Sequence, residues 1–146
     1  MEKGFEAFQV AMLIKEVYSL VMHNIDCGLL DSGMTHQQIM VIKLIAHKNE
    51  ITISELCEEM ALTKGTVSGI VSRLEAAGYV EKQKNNEDKR ATYVVFSEKG
   101  KEFAKEYKDV MNNSFKSVFK NFSNEEMIES KKNLVKLRDK FKEGRK

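Results

Sequence analysis

The sequence predicts a mainly α-helical protein with a small β-wing: a winged helix-turn-helix set between N- and C-terminal dimerisation helices. Three observations predict it. Apolar residues recur at the three-four spacing of amphipathic helices through most of the chain. Two short helical segments meet at a tight turn between Met60 and Lys64. Two strand-like runs, YVEKQK and RATYVVF, follow at once and flank the polar turn NNED, a hairpin pattern.

Taken in order, residues from about Glu6 to Cys27 place Val10, Leu13, Ile14, Val17, Leu20 and Val21 on one side of a helix, and Gly28 stops it. Thr35 opens the second helix. Gln38, three residues on, completes a capping box, in which each side chain accepts the other residue's unpaired backbone N–H. Ile39, Val41, Ile42 and Ile45 carry that helix to about His47. Thr52 with Glu55 repeats the device for a third helix ending near Met60. Thr63 caps a fourth, on which Val67, Ile70, Val71 and Leu74 share a face and which Gly78 closes. After the hairpin, Ser97 caps a long helix expected to run from Glu98 to about Phe119 without a break. Proline is absent from the chain, which permits such a rod. Ser123 and Glu126 form a third capping box, and Ile128, Leu134, Val135, Leu137 and Phe141 give the last helix its apolar stripe.

The expected organisation is a helical dimerisation region built from residues 1–34 and 101–146, around a winged module at 35–100. The terminal helices cannot build a deep core on so small a module. Packed together and against a second copy, they can.

Composition narrows the functional class. Hydrophobic residues make up 42% and charged residues 32% of the 146, a folding, soluble balance. No apolar run is long enough to cross a bilayer, and the opening MEKGFEAF lacks the pattern of a signal peptide. The expected location is the cytoplasm, with Cys27 and Cys57 reduced and too far apart for a metal motif. The net charge of +2 hides a gradient: residues 1–62 hold 4 bases and 9 acids, 63–101 hold 8 and 5, and 102–146 hold 12 and 8. The middle segment suits a polyanion and the first does not.

The fourth helix carries the most informative pattern. With its apolar face turned inward, the opposite side presents Gly65, Ser68, Gly69, Ser72 and Ala76, all small. Each interior glycine costs about 1 kcal/mol relative to alanine, so something should offset it. Close packing against another helix is one answer. A helix lying in a DNA groove, its backbone close to the bases, is the other. Lys64 and Arg73 could meet phosphates or a guanine edge, and Thr63, Thr66, Ser68 and Ser72 supply hydroxyls. The hairpin adds Lys82, Lys84, Lys89 and Arg90. Such charges also protect exposed strand edges from pairing with other chains. Beside a groove-reading helix, however, they suit a wing on the DNA backbone with one arginine in the minor groove.

The run LTKGTVSGIVSRLEAAGYVEK followed by DKRATYVVFSEKG resembles the MarR (multiple antibiotic resistance regulator) family of transcription factors, over roughly Thr35 to Gly100. The resemblance rests on a recognition helix ending in Arg-Leu-Glu, a Gly-aromatic-Val exit, an Asp-x-Arg wing tip and a Ser-Glu-Lys-Gly run after the second strand. It implies a homodimeric regulator, most often a repressor, whose two winged lobes read the halves of a pseudo-palindrome in double-stranded DNA. It also implies that Arg90 enters the minor groove and that Asp88 pairs with Arg73; Lys89, between Asp88 and Arg90, is then expected to lie near phosphate. An acid so near phosphate is useful only when an arginine neutralises it, so Asp88→Ala is expected to weaken DNA binding.

Many relatives release DNA when a small aromatic or anionic effector binds between the dimerisation helices and the lobe. Candidate walls here are Val17, Met22, Met40 and Met111, although each taken singly is better explained as ordinary core. Some relatives sense oxidants through a first-helix cysteine. Cys27 is the candidate, although neighbouring Asp26 disfavours a thiolate. Neither a metal site nor a cofactor is expected, since the three histidines, His23, His36 and His47, all precede the hairpin. No nucleophile-base pair or phosphate loop points to an enzyme. A winged-helix protein–protein adaptor is the alternative from another class.

Overall fold

A computed structural model describes residues 2–28, 33–84, 87 and 90–144, with side chains as far as Ile25 in the first stretch. Its elements are α1 (Lys3–Gly28), α2 (His36–Lys48), β1 (Glu50–Thr52), α3 (Ile53–Met60), α4 (Lys64–Ala76), β2 (Val80–Lys84), β3 (Thr92–Phe96), α5 (Glu98–Glu106), α6 (Lys108–Val118) and α7 (Asn124–Glu143).

The helix starts follow the local chemistry read from the sequence. Thr35 Oγ1 accepts the Gln38 N–H at 3.1 Å, and Gln38 Oε1 accepts the Thr35 N–H at 3.0 Å. Thr52 with Glu55 and Ser123 with Glu126 close the same reciprocal pair. Each cap is worth about 1 kcal/mol and needs only four consecutive residues. That is why these boundaries are legible in the chain.

Two elements depart from the sequence expectation. The hairpin is part of a three-stranded antiparallel sheet in the order β1-β3-β2. The extra strand, β1, sets Ile51 opposite Val94, and both side chains are fully buried. Three residues are too few for an alternation signal, and this strand exists because β3 offers it a partner.

The expected rod from Glu98 to Phe119 is instead two helices meeting at Tyr107, whose backbone sits at φ −95°, ψ 5°. Hydrogen bonding continues on both sides: Tyr107 N–H donates to Phe103 at 2.9 Å, and Met111 N–H donates to Tyr107 at 2.8 Å. The chain therefore bends at this one residue, which closes the last turn of α5 and opens the first of α6, and no proline is needed. The Tyr107 ring stacks on Phe103 with centroids 4.5 Å apart, and Phe103 meets the Tyr79 ring edge-on at 5.1 Å. This aromatic row holds α5 on the winged lobe, while α6 turns to pack against α1.

The core lies beneath α4. Val67, Ile70, Val71 and Leu74 are buried against Ile39, Ile42 and Leu56, among others. Burying such a side chain contributes about 1.5–3 kcal/mol, so this cluster sets which face of α4 points outward. The terminal helices behave differently. On α1, Leu13 and Leu20 are 58% and 57% exposed, and α7 buries no residue. No described helix is long and apolar enough to cross a membrane.

Candidate nucleic-acid interface

The outward face of α4 is open. A Cβ on Gly65 would meet nothing within 4 Å, and one on Gly69 would meet only Arg73 Nη2, at 3.9 Å. Packing within the chain therefore does not require either glycine, and the close-packing explanation fails for the protomer. The helix carries their cost of about 1 kcal/mol each with no internal return. Around them, Ser68 is half-buried, and Ser72 and Ala76 are exposed.

The ends of the helix are differentiated. Thr63 is its N-cap: Oγ1 accepts the Thr66 N–H at 3.4 Å and lies 3.0 Å from Thr66 Oγ1. These two hydroxyls hold each other and fix the first turn. Lys64, beside them, is exposed. Arg73, in the last turn, is exposed too, and its guanidinium reaches back to Gly69 along the outward face.

The wing begins against this helix. Lys82 Nζ on β2 lies 3.5 Å from Glu75 Oε1 and donates to Ser72 Oγ at 3.4 Å. Glu75 is the only acid on α4. Both side chains are more than a third exposed, so the pair adds little stability. Its electrostatic effect is to cancel the one negative charge beside the small-residue face. Lys84, at the end of β2, and Arg90, before β3, are exposed. Asp88 and Lys89 lie outside the described residues, and so does the expected pairing of Asp88 with Arg73.

A second feature is a cleft of about 930 Å³ bordered by α1, α2, α5 and α6. Met40, Leu44, Met111 and Phe115 give it an apolar floor. Lys43, Lys101, Lys105 and Lys108 stand around it, and among the described residues Glu59 is the only acid in its wall. Lys43 Nζ donates to Asn112 Oδ1 at 2.6 Å and sits 5.4 Å from the Phe115 ring centroid. Of the four wall residues suggested by the sequence, Met40 and Met111 line this cleft. Val17 lies on the uncovered stripe of α1, 54% exposed, and Met22 packs half-buried against the core. Tyr18, one helical step from Val17, is the α1 residue in the wall. The lysines were not singled out from the sequence, although 101, 105 and 108 keep a helical three-four spacing.

The Cys27 side chain lies outside the described residues. Cys57 is a free thiol, half-buried against the core. Among the described residues, no three of His, Cys, Asp and Glu gather as metal ligands.

Comparison with known proteins agrees with this geometry. A sequence model described as MarR family matches residues 32–91, the segment that holds α2–α4 and the first half of the hairpin. The chain is 25% identical over 106 residues to the HTH-type transcriptional regulator FarR of Neisseria gonorrhoeae, covering 73% of each. Other curated relatives are matched over as little as 42% of their length. Among solved structures, a cysteine-to-serine mutant of MarR from E. coli, complexed with operator DNA, superimposes with a TM-score of 0.77. It is 22% identical, and the match covers 94% of this chain and 99% of that one. BpsR of Bordetella bronchiseptica, whose DNA binding is regulated by 6-hydroxynicotinic acid, gives a TM-score of 0.76 at 20% identity, over 89% of this chain and 93% of its own. At such identities the structural likeness fixes the fold, and the curated relatives are regulators rather than enzymes. Sequence and fold agree over the winged lobe: residues 32–91 match the model of the MarR family, and the curated relatives are HTH-type transcriptional regulators.

Proposed function

We propose that two copies of this chain bind one pseudo-palindromic operator as a repressor, and that a small aromatic or anionic effector releases them. The observation that carries the DNA-reading role is the outward face of α4. It is small, hydroxyl-bearing and free of packing demands, and its only acid is matched by Lys82. In this reading α4 enters the major groove with Lys64, Ser68, Ser72 and Arg73. Lys84 and Lys89 lie along phosphates, and Arg90 reaches the minor groove. Asp88 braces Arg73 and sets the angle of the wing.

The dimer is supported by the apolar stripe left uncovered on α1 and by the exposed Ile128 and Phe141 of α7. Residues 1–34 and 101–146 would then form the paired base, with each lobe of 35–100 mounted on it. Half-site centres would lie about 34 Å apart, one helical turn of DNA. The protein acts in the cytoplasm, where the chromosome lies.

Effector release is supported by the cleft, which combines an apolar floor with four lysines. An aromatic carboxylate matches that combination, its ring on Met40 and Phe115 and its charge toward Lys43. BpsR, which shares this fold, has its DNA binding regulated by 6-hydroxynicotinic acid, so that compound and similar aromatic monocarboxylates are the first probes.

The test is equilibrium binding at fixed salt to duplexes selected from a random-sequence pool by the protein itself. Arg90→Ala should weaken binding about tenfold or more, the discrimination carried by one good base contact. Affinity left unchanged would overturn the assigned role of the wing. A protein–protein adaptor would fail to retard even random duplex at low salt.

A further inference from the structure

The run Ser97-Glu98-Lys99-Gly100 opens α5, yet three of its four residues reach back to the turn that ends α4. The Ser97 hydroxyl donates to the Gly78 carbonyl while accepting the Gly100 N–H at 3.0 Å. Ser97 N–H donates to the Tyr79 carbonyl at 3.1 Å. Gly100 presses directly on that backbone, and a Cβ there would overlap the Tyr79 carbonyl oxygen. Lys99 completes the clasp. Its Nζ donates to the Ala77 carbonyl at 2.7 Å and sits 4.5 Å from the Tyr79 ring centroid. Its stem crosses Gly78, with Cδ 3.5 Å from the position a Cβ would take. Gly78 itself is left-handed at φ +87°, the conformation that ends many helices.

The physical logic is that of a helix end. The last carbonyls of a helix lack partners inside it, and they carry the negative end of its dipole. Ala77 is the residue at which α4 ends, and the cation that satisfies its carbonyl comes from 22 residues further along the chain. Most end-capping groups are local. This one ties α4 to α5, the helix that also supplies Lys101, Ala104 and Lys105 to the cleft.

We propose that Lys99 is a positioning residue for DNA reading. It pins the exit end of α4 to the start of α5 and so sets the tilt at which Gly65, Ser68, Gly69 and Ser72 meet the groove. Ser97 and Gly100 hold the turn itself. Lys99 contributes through Ala77 and the Tyr79 ring, not through a phosphate of its own. The inference rests on α4 being the helix that enters DNA.

The experiment compares Lys99→Met, which keeps the stem but removes charge and donor, with Lys99→Arg, which keeps both. Binding by fluorescence anisotropy is measured over a range of salt, on a duplex selected by the wild-type protein and on random duplex of equal length. Melting temperature is recorded alongside. Lys99→Met should lower affinity for the selected duplex about fivefold, on the scale of one charged contact at a helix end, with random-duplex affinity and salt slope unchanged. Lys99→Arg should recover most of the loss. Equal weakening on both duplexes with a salt slope shallower by about one would make Lys99 a phosphate contact and overturn the proposal. A lower melting temperature with wild-type binding would make it a fold brace only, and overturn it too. Lys64→Ala, run in parallel, separates the premise from the inference. If it leaves both affinities unchanged, α4 is not the reading helix and the clasp aims nothing. If it weakens binding while Lys99→Met does not, only the clasp is wrong.

Discussion

Lys82 on the first strand of the hairpin and Glu75 on α4 form an ion pair, Nζ to Oε1 3.5 Å, which together with the Lys82–Ser72 hydrogen bond joins the hairpin to that helix. If this face lies on DNA as proposed, the lysine gives part of its charge to a carboxylate instead of to phosphate. Glu75→Gln should therefore release it. Affinity for random duplex at low salt should rise about threefold, with a steeper salt slope, as one more cation becomes available to phosphates. Stability should change by less than about 1 kcal/mol, because the pair is exposed. Gel shifts at two salt concentrations decide it, and weaker binding would mean that Glu75 aims Lys82 at its target.

Gly69 offers an opposite trade. Alanine fits there, since the nearest side-chain atom to its Cβ would be 3.9 Å away. Gly69→Ala should stabilise the fold by about 0.5–1 kcal/mol in urea denaturation. The same methyl would stand between helix and groove, so affinity for the selected duplex should fall about tenfold. Stability and affinity rising together would exclude close approach at this face.

Gly100 allows no such exchange. The Cβ of Gly100→Ala would overlap the Tyr79 carbonyl oxygen and crowd the Phe96 ring. Destabilisation of about 2–4 kcal/mol is expected, read as a lower melting temperature by circular dichroism. A melting curve like the wild type's would show that the α4–α5 junction can open at little cost.

Leu20 tests the paired base. It is 57% exposed in the single chain, so glutamate there should cost the lone protomer little. If the stripe is buried in a dimer, each copy loses about 1.5 kcal/mol or more. Two copies then weaken association by roughly a hundredfold. Sedimentation equilibrium of Leu20→Glu should show mainly monomer at concentrations where the wild type is dimeric. An unchanged association state would move the interface elsewhere.

What could be read from the chain divides along the range of the forces involved. Thr35, Thr52, Thr63, Ser97 and Ser123 each cap a helix as expected, because a cap is settled within a few residues. The buried face of α4 was equally legible, since four apolar residues at helical spacing leave one solution. Strand β1 was not, because three residues carry no period and their partner lies more than forty positions away. The bend at Tyr107 was hidden for a related reason: it follows an aromatic row that begins at Tyr79. Ser97 shows both cases in one side chain. Its capping bond to Gly100 is local and follows from the expected helix start, whereas its bond to Gly78 joins distant residues and has no local signal. The lysines of the cleft converge from α2, α5 and α6, so only the fold brings them together.

The open space around Gly65 and Gly69 has an evolutionary consequence. The small outward residues of α4 are separate from the buried apolar residues that seat the helix on the core. If α4 reads DNA as proposed, substitutions at 65 and 69 can therefore change the target sequence without a clash in the protomer. A lineage built on this chain could acquire new target genes one outward side chain at a time, without first having to repair its fold.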